Sequence, residues 1–151
     1  MDPMKRALDL AQQAADDNEV PVGAVIVDSS GKIIAEGRNR MRAHSDPTAH
    51  AEIVAIRAAG QMLSNERLLD CDLYVTLEPC AMCASAIAHA RLRRLYFGAP
   101  DPKAGAVESQ LFFFDQTSCH HRPEVYGGIR AQECGQILRD FFAVRRNSLR
   151  F

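Results

Sequence analysis

The sequence predicts an α/β protein, a three-layer α/β/α sandwich with a mixed central sheet. Three observations lead there. Short apolar runs with β-branched residues at 22–27, 73–77 and 95–98 have strand character. Stretches with apolar residues at helical spacing lie between and around them. The chain also shows neither an internal repeat nor a linker-like shift in composition. A chain of 151 residues is long enough to bury roughly 68–70% of its unfolded surface, so residues 1–151 are expected to form a single domain.

Each element has its own signal. Met4, Ala7, Leu8, Ala11 and Ala15 fall on one face of a first helix that is expected to end near Asp17 and Asn18. The run 22–27, the turn residues Ser29, Ser30 and Gly31, and the run 33–35 together predict a β-hairpin, after which Gly37 and Asn39 open a loop. Asp46 followed by Pro47 has the form of an N-cap and a first-turn proline, which predicts a helix over 48–59. Residues 73–77 read as a buried strand, stopped by Pro79 before a helix over 80–90. After the strand at 95–98, prolines, glycines and the run Phe112 to Phe114 send mixed signals, so 99–128 is expected to be mostly loop with a short strand. Cys134, Ile137, Leu138, Phe141 and Phe142 restore helical spacing over 131–147.

Composition narrows the function. With 47% hydrophobic and 25% charged residues the chain is globular rather than disordered. Residues 1–15 are too often interrupted by polar groups to read as a signal peptide, and no segment approaches the length of a membrane span. Five cysteines, an odd number, argue for a reducing compartment where thiolates bind metal, and the cytoplasm is the expected location. A formal net charge of -1 rules out an overall basic field, so any nucleic-acid contact has to be local. Of the 18 basic residues only Lys5, Lys32 and Lys103 are lysines, and Arg139, Arg145, Arg146 and Arg150 cluster at the carboxyl end.

The chemistry concentrates in two segments. Cys80 and Cys83 are spaced so that both sulfurs reach one ion from a single helical turn. A closed zinc knuckle would need a second pair of cysteines or histidines, and the sequence has none. It offers instead His50 at the start of another helix, which makes three ligands and leaves the fourth position for water, the mark of catalytic zinc. Within a regular helix His50 and Glu52 would project roughly 200° apart. They converge only if the metal lies ahead of the helix end, toward which side chains tilt. Two helix amino ends would then face the ion and favour the thiolates.

His-x-Glu followed by Pro-Cys-x-x-Cys is the signature of zinc-dependent nucleobase deaminases, a group that includes the TadA-type enzymes. The segments DPTAHAE at 46–52 and TLEPCAMC at 76–83 resemble the bacterial tRNA adenosine deaminases of that type, as do EVPVGAVIV at 19–27, GRNR at 37–40, DPKAGAVES at 101–109 and DFFAVRR at 140–146. The similarity spans nearly the whole chain. It implies a cytidine deaminase-like fold, a homodimer with active sites near the interface, and hydrolytic conversion of the wobble adenosine to inosine in the anticodon stem-loop of an arginine tRNA. It also implies one zinc per chain on His50, Cys80 and Cys83, with Glu52 as proton shuttle, Asn39 near the target base, and Asp101, Lys103 and Phe141 against the substrate.

The run Phe112 to Phe114 and the segment Cys119, His120, His121 depart from the better-known members, while HRPE at 121–124 is kept. Cys119 beside His120 has no further ligands nearby in sequence and reads as loop, while Cys71 and Cys134 read as packing residues. On the last helix Arg139, Arg146 and Arg150 form a stripe beside Phe142, suited to phosphate contact and base stacking or simply to a solvated face; by helical position Phe141 belongs to the core. Two other functions share parts of the pattern. A deaminase of small free bases or nucleosides would use the same zinc chemistry, and a zinc-stabilised RNA-binding module would need a fourth protein ligand but no Glu52.

Overall fold

The computed structural model describes residues 2–148. In chain order its elements are α1 (Pro3–Asp16), β1 (Gly23–Val27), β2 (Ile33–Arg38), α2 (Ala51–Leu63), β3 (Asp72–Leu77), α3 (Ala81–His89), β4 (Arg94–Ala99), a short 3-10 turn (Phe113–Asp115), β5 (Glu124–Tyr126) and α4 (Ala131–Ser148). The strands form one sheet in the order β2-β1-β3-β4-β5. β1 runs antiparallel to both β2 and β3, whereas β3, β4 and β5 are parallel. α1 and α4 pack on one face, α2 and α3 on the other, so the expected mixed α/β/α sandwich is the fold.

A sheet covered on both faces explains why its strands read as continuous apolar runs rather than as alternating ones. All five residues of β1 are buried. Ala24 and Ile26 join the larger core with Leu73, Val75, Ile87, Leu95 and Phe97 beneath α2 and α3. Val25 points the other way, toward Met4, Ala7, Leu10 and Cys134. The β1–β2 hairpin closes as expected, with the Asp28 carboxylate accepting from the Ser30 and Lys32 amides at 2.9 and 3.1 Å. The loop region 99–128 contains the short strand β5.

Besides α2 running on to Leu63 rather than ending at Ala59, three features differ from expectation. α1 begins at Pro3 because Asp2 caps it, accepting from the Met4 and Lys5 amides, and its buried face is Met4, Ala7, Leu10, Ala11 and Ala14, rotated slightly from the spacing first read. β2 extends to Arg38, since pairing with β1 continues as far as Gly23. The third difference matters most. Asp46 and Pro47 do not open α2: the Asp46 carboxylate accepts from the amide and hydroxyl of Thr48 at 2.8 and 2.7 Å, closing a turn that precedes the helix. An Asx turn and an N-cap use the same short carboxylate-to-amide hydrogen bond, so the dipeptide alone does not separate them.

α4 lies close against β4 because Gly98 leaves room for it. A Cβ at that position would run into the Cys134 side chain and stand 2.7 Å from the Thr76 carbonyl oxygen. Gly98→Ala is expected to cost about 1–3 kcal/mol through overpacking, read as a lowered midpoint in urea unfolding; an unchanged midpoint would contradict this packing of α4 on the sheet.

Candidate active site

His50 and Cys80 occupy equivalent places. Each is the N-cap of its helix, with extended backbone, φ -71 and ψ 155 for His50 and φ -75 and ψ 177 for Cys80, and neither side chain makes a capping hydrogen bond. Being outside the helix, His50 is free of the angular spacing that separates residues two apart within one. The cap of α2 comes from elsewhere: buried Asn39 accepts from the Ala51 amide at 2.8 Å, which leaves the imidazole to turn toward α3. Cys83 lies in the first turn of α3. The three donors meet, with His50 Nδ1 lying 3.6 Å from Cys80 Sγ and 3.5 Å from Cys83 Sγ.

That separation decides whether a metal fits. Tetrahedral zinc with Zn–S of about 2.3 Å and Zn–N of about 2.0–2.1 Å places nitrogen and sulfur about 3.6 Å apart, the spacing found here. All three ligand atoms lie within 4.8 Å of one another, and among the described residues no fourth histidine, cysteine or carboxylate joins the group. Without a cation the charges crowd. The hydrogen bond from the Cys83 thiol holds the Cys80 sulfur down to about 4, and the same contact, with burial, pushes the Cys83 thiol up. His50 is raised by its hydrogen bond to Cys80. A divalent cation displaces the proton these groups otherwise share.

Glu52, in the first turn of α2, is buried at 4% exposure. Burial pushes its carboxyl up to about 7, against the hydrogen bond from its own amide and with the Cys80 charge acting in the same direction as burial. It lines a cavity of about 180 Å3 with His50, Cys80, Asn39, Glu78 and Asp101. Val20, Leu77, Asp101 and Ala104 also border a larger groove of about 790 Å3, whose other wall is α4 with Leu138, Phe142, Arg145 and Arg146. Lys103 lies on this groove.

The remaining sequence candidates divide. Phe141 is buried at 8% and does not line the groove; its ring carries the Arg145 guanidinium 3.4 Å above it and meets Phe142 edge to face. Phe142 is the exposed member of the pair and borders the groove. Arg139 lies away from the groove, bonded to Gln136, and Arg150 is outside the described residues. Cys119 donates to the His121 carbonyl, and no second group of three metal donors forms among the described residues. Cys71 and Cys134 are buried and free.

Two buried carboxylates that anchor loops beside the site are not singled out by the sequence pattern. Glu19 accepts from the Arg42 and Ala43 amides at 3.1 and 2.8 Å and ties down the 40–45 loop. Glu78 accepts from the amides of Asp101, Val107, Glu108 and Ser109 and from the Ser109 hydroxyl. Burial alone would raise the Glu78 carboxyl, but the Ser109 hydroxyl and the ring of amides outweigh it and hold it below the usual carboxylate range. The available signal was a carboxylate directly after a buried strand, where a charge needs several donors to be tolerated.

Known proteins resemble this chain in sequence and fold. The cytidine and deoxycytidylate deaminase zinc-binding region matches residues 2–99. Fold and donor set together therefore define a zinc-dependent deaminase. The chain is 55% identical over 143 residues to the tRNA-specific adenosine deaminase of Agrobacterium fabrum, covering 95% of this chain and 93% of that one. A structure solved in a study of A-to-I editing by tRNA:A34 deaminases at the wobble position of transfer RNA is also 55% identical, with a TM-score of 0.88 over 90% of this chain and 98% of its own. The guanine deaminase of Bacillus subtilis is more distant, at 36% identity and TM-score 0.65 over 95% of this chain and 92% of its own. The chain belongs to the tRNA-specific adenosine deaminases of the cytidine and deoxycytidylate deaminase zinc-binding family.

Zinc binds a neutral imidazole and deprotonated sulfurs, and hydrogen bonding with Cys80 raises both the His50 imidazole and the Cys83 thiol, so protons compete with the ion and affinity rises with pH. Competition against a chromophoric chelator between about pH 6 and about pH 8 is expected to show tighter binding at the alkaline end; an affinity independent of pH would contradict the donor set.

Proposed function

We propose that this enzyme hydrolytically deaminates the wobble adenosine to inosine in the anticodon stem-loop of an arginine tRNA. The observation that carries the reading is a zinc-fitting donor trio beside a buried carboxylate, in a cavity that opens onto a groove walled by Phe142, Arg145 and Arg146. A free base needs only the cavity, whereas a polynucleotide also needs somewhere to lay its backbone and neighbouring bases. Arginines beside an exposed aromatic suit phosphate contact and stacking. The target base has to be splayed out of any stack to enter, which an anticodon loop allows.

His50, Cys80 and Cys83 would hold the zinc, which when bound would supply Lewis-acid activation of water, with a pKa brought toward about 7. Glu52, poised near neutrality, accepts the proton of the attacking water. As the water oxygen bonds to the purine carbon that bears the amino group, Glu52 returns that proton to the adjacent ring nitrogen, and it then carries the proton of the added hydroxyl to the amine as the carbon–nitrogen bond breaks, so that adenosine and water yield inosine and ammonia. Asn39, whose oxygen is committed to the Ala51 amide, has its amide nitrogen left to hold the base. Asp101, where the cavity meets the groove, and Lys103, on the groove alone, contact the nucleotide. Phe141 contributes from beneath, as the support on which Arg145 and Phe142 rest.

The same reading takes residues 1–151 as one deaminase domain acting in the cytoplasm as a homodimer. Among the described residues no helix is long and apolar enough to cross a membrane.

Two measurements test this function. Glu52→Ala is expected to keep one zinc per chain while inosine formation falls by about 10²–10⁴-fold; unchanged activity would remove Glu52 from the proton path. Purified protein incubated with an anticodon stem-loop bearing a wobble adenosine, beside free adenosine, cytidine and guanine, is expected to act on the stem-loop. Activity on the free compounds alone would overturn the tRNA assignment in favour of a small-substrate deaminase.

A further inference from the structure

The 101–109 loop, which borders both cavity and groove and whose first turn the Asp101 carboxylate closes on the Lys103 and Ala104 amides, is tied to the segment after β3 by the side chain of Glu78. Glu78 is 2% exposed, and both of its carboxylate oxygens are saturated. Oε1 accepts from the Asp101 amide at 3.0 Å and from the Ser109 hydroxyl, while Oε2 accepts from the amides of Val107, Glu108 and Ser109 at 3.1, 2.8 and 3.1 Å. These donors span the start and the end of the 101–109 segment, so one carboxylate gathers both into a closed loop. Gly105 shows how tightly the loop wraps, because a Cβ there would strike the Glu78 carboxylate itself. The Ala106 amide also donates to the Pro79 carbonyl at 2.9 Å, between Glu78 and the ligand Cys80.

We propose that Glu78 is a positioning residue for the nucleotide substrate: by fixing the 101–109 loop through the Asp101 amide, it places Asp101 and Ala104 at the junction of cavity and groove. This inference rests on the polynucleotide reading above. The carboxylate is required and not merely a polar group, because every one of its neighbours is a donor. Glutamine keeps one acceptor oxygen but turns an NH2 group toward the rest. With its oxygen on the three amides of 107–109, its NH2 faces the Asp101 N–H; the Ser109 hydroxyl can rotate to accept, but the Asp101 amide cannot. Asp101 is thus the point that loosens, while the zinc ligands stay in place.

The test is a double-mutant cycle read in steady-state kinetics on the anticodon stem-loop. Glu78→Gln is expected to raise KM about tenfold with kcat changed less than about threefold and zinc content unchanged. Asp101→Ala is expected to raise KM on its own, and the double variant to rise no further than the larger single effect, because both changes act through one contact. A loss in kcat alone, or KM effects that multiply, would overturn the proposal. If Glu78→Gln does not accumulate as folded protein, Ser109→Ala removes one of the two donors to Oε1; a smaller KM rise that does not multiply with that of Asp101→Ala supports the proposal, and independent effects overturn it. Wild-type protein inactive on the stem-loop would sink the tRNA reading instead. Hydrogen exchange at the Asp101 amide then still tests the anchor, with faster exchange expected in Glu78→Gln and unchanged exchange counting against it.

Discussion

The structure depends on two helix amino ends meeting at one point. α2 and α3 both begin beside the carboxyl end of β3, and at each start the N-cap position is given to a metal ligand, His50 in one case and Cys80 in the other. A capping residue ordinarily spends its side chain on the first-turn amides. Here both side chains are withheld from that task, and for α2 it is done by Asn39, twelve residues earlier in the chain. The partial positive charge of the helix ends favours the thiolate forms that bind a cation. Chain geometry at the caps thus sets the metal site, and the sheet beneath keeps the two caps at a fixed distance.

The same economy organises the surroundings. Loops have no core of their own to fix them, and the two that border the cavity are each tied to a buried carboxylate instead: 40–45 to Glu19, and 101–109 to Glu78. Buried charges are costly unless well supplied with donors, and both of these meet that condition with backbone amides. On the far side of the groove, α4 presents Phe142 and Arg146, while Phe141 is withdrawn beneath Arg145. Rigid walls and a buried proton carrier suit a reaction in which the base has to be held still while a proton moves twice.

How much of this could be read from the sequence depends on the range of the interaction. The strands and helices were legible because burial on both sheet faces leaves unbroken apolar runs in β1 and β3, and because Cys134 and Phe141 repeat at helical spacing. Cys80, Cys83 and His50 were legible because metal chemistry restricts residue types and spacing. The start of α2 was misread, since Asp46 makes the same local hydrogen bond in a turn that it would make in a cap. Asn39 as the cap of α2, and Glu19 and Glu78 as loop anchors, were hidden because their partners lie twelve or more residues away and a carboxylate looks alike in solvent and in a core. Of the stripe expected at Arg139, Arg146 and Arg150, Arg146 borders the groove and Arg139 does not, Arg150 lies outside the described residues, and only the fold reveals that Arg145 joins Arg146 there.

The central claim is that the metal has three protein ligands and one position left for solvent. X-ray absorption at the zinc edge of the purified protein measures this directly. The account predicts two sulfurs at about 2.3 Å and two lighter atoms at about 2.0–2.1 Å, one from the imidazole and one from water. A third sulfur, or a second imidazole completing the shell, would mean a closed structural site and contradict it.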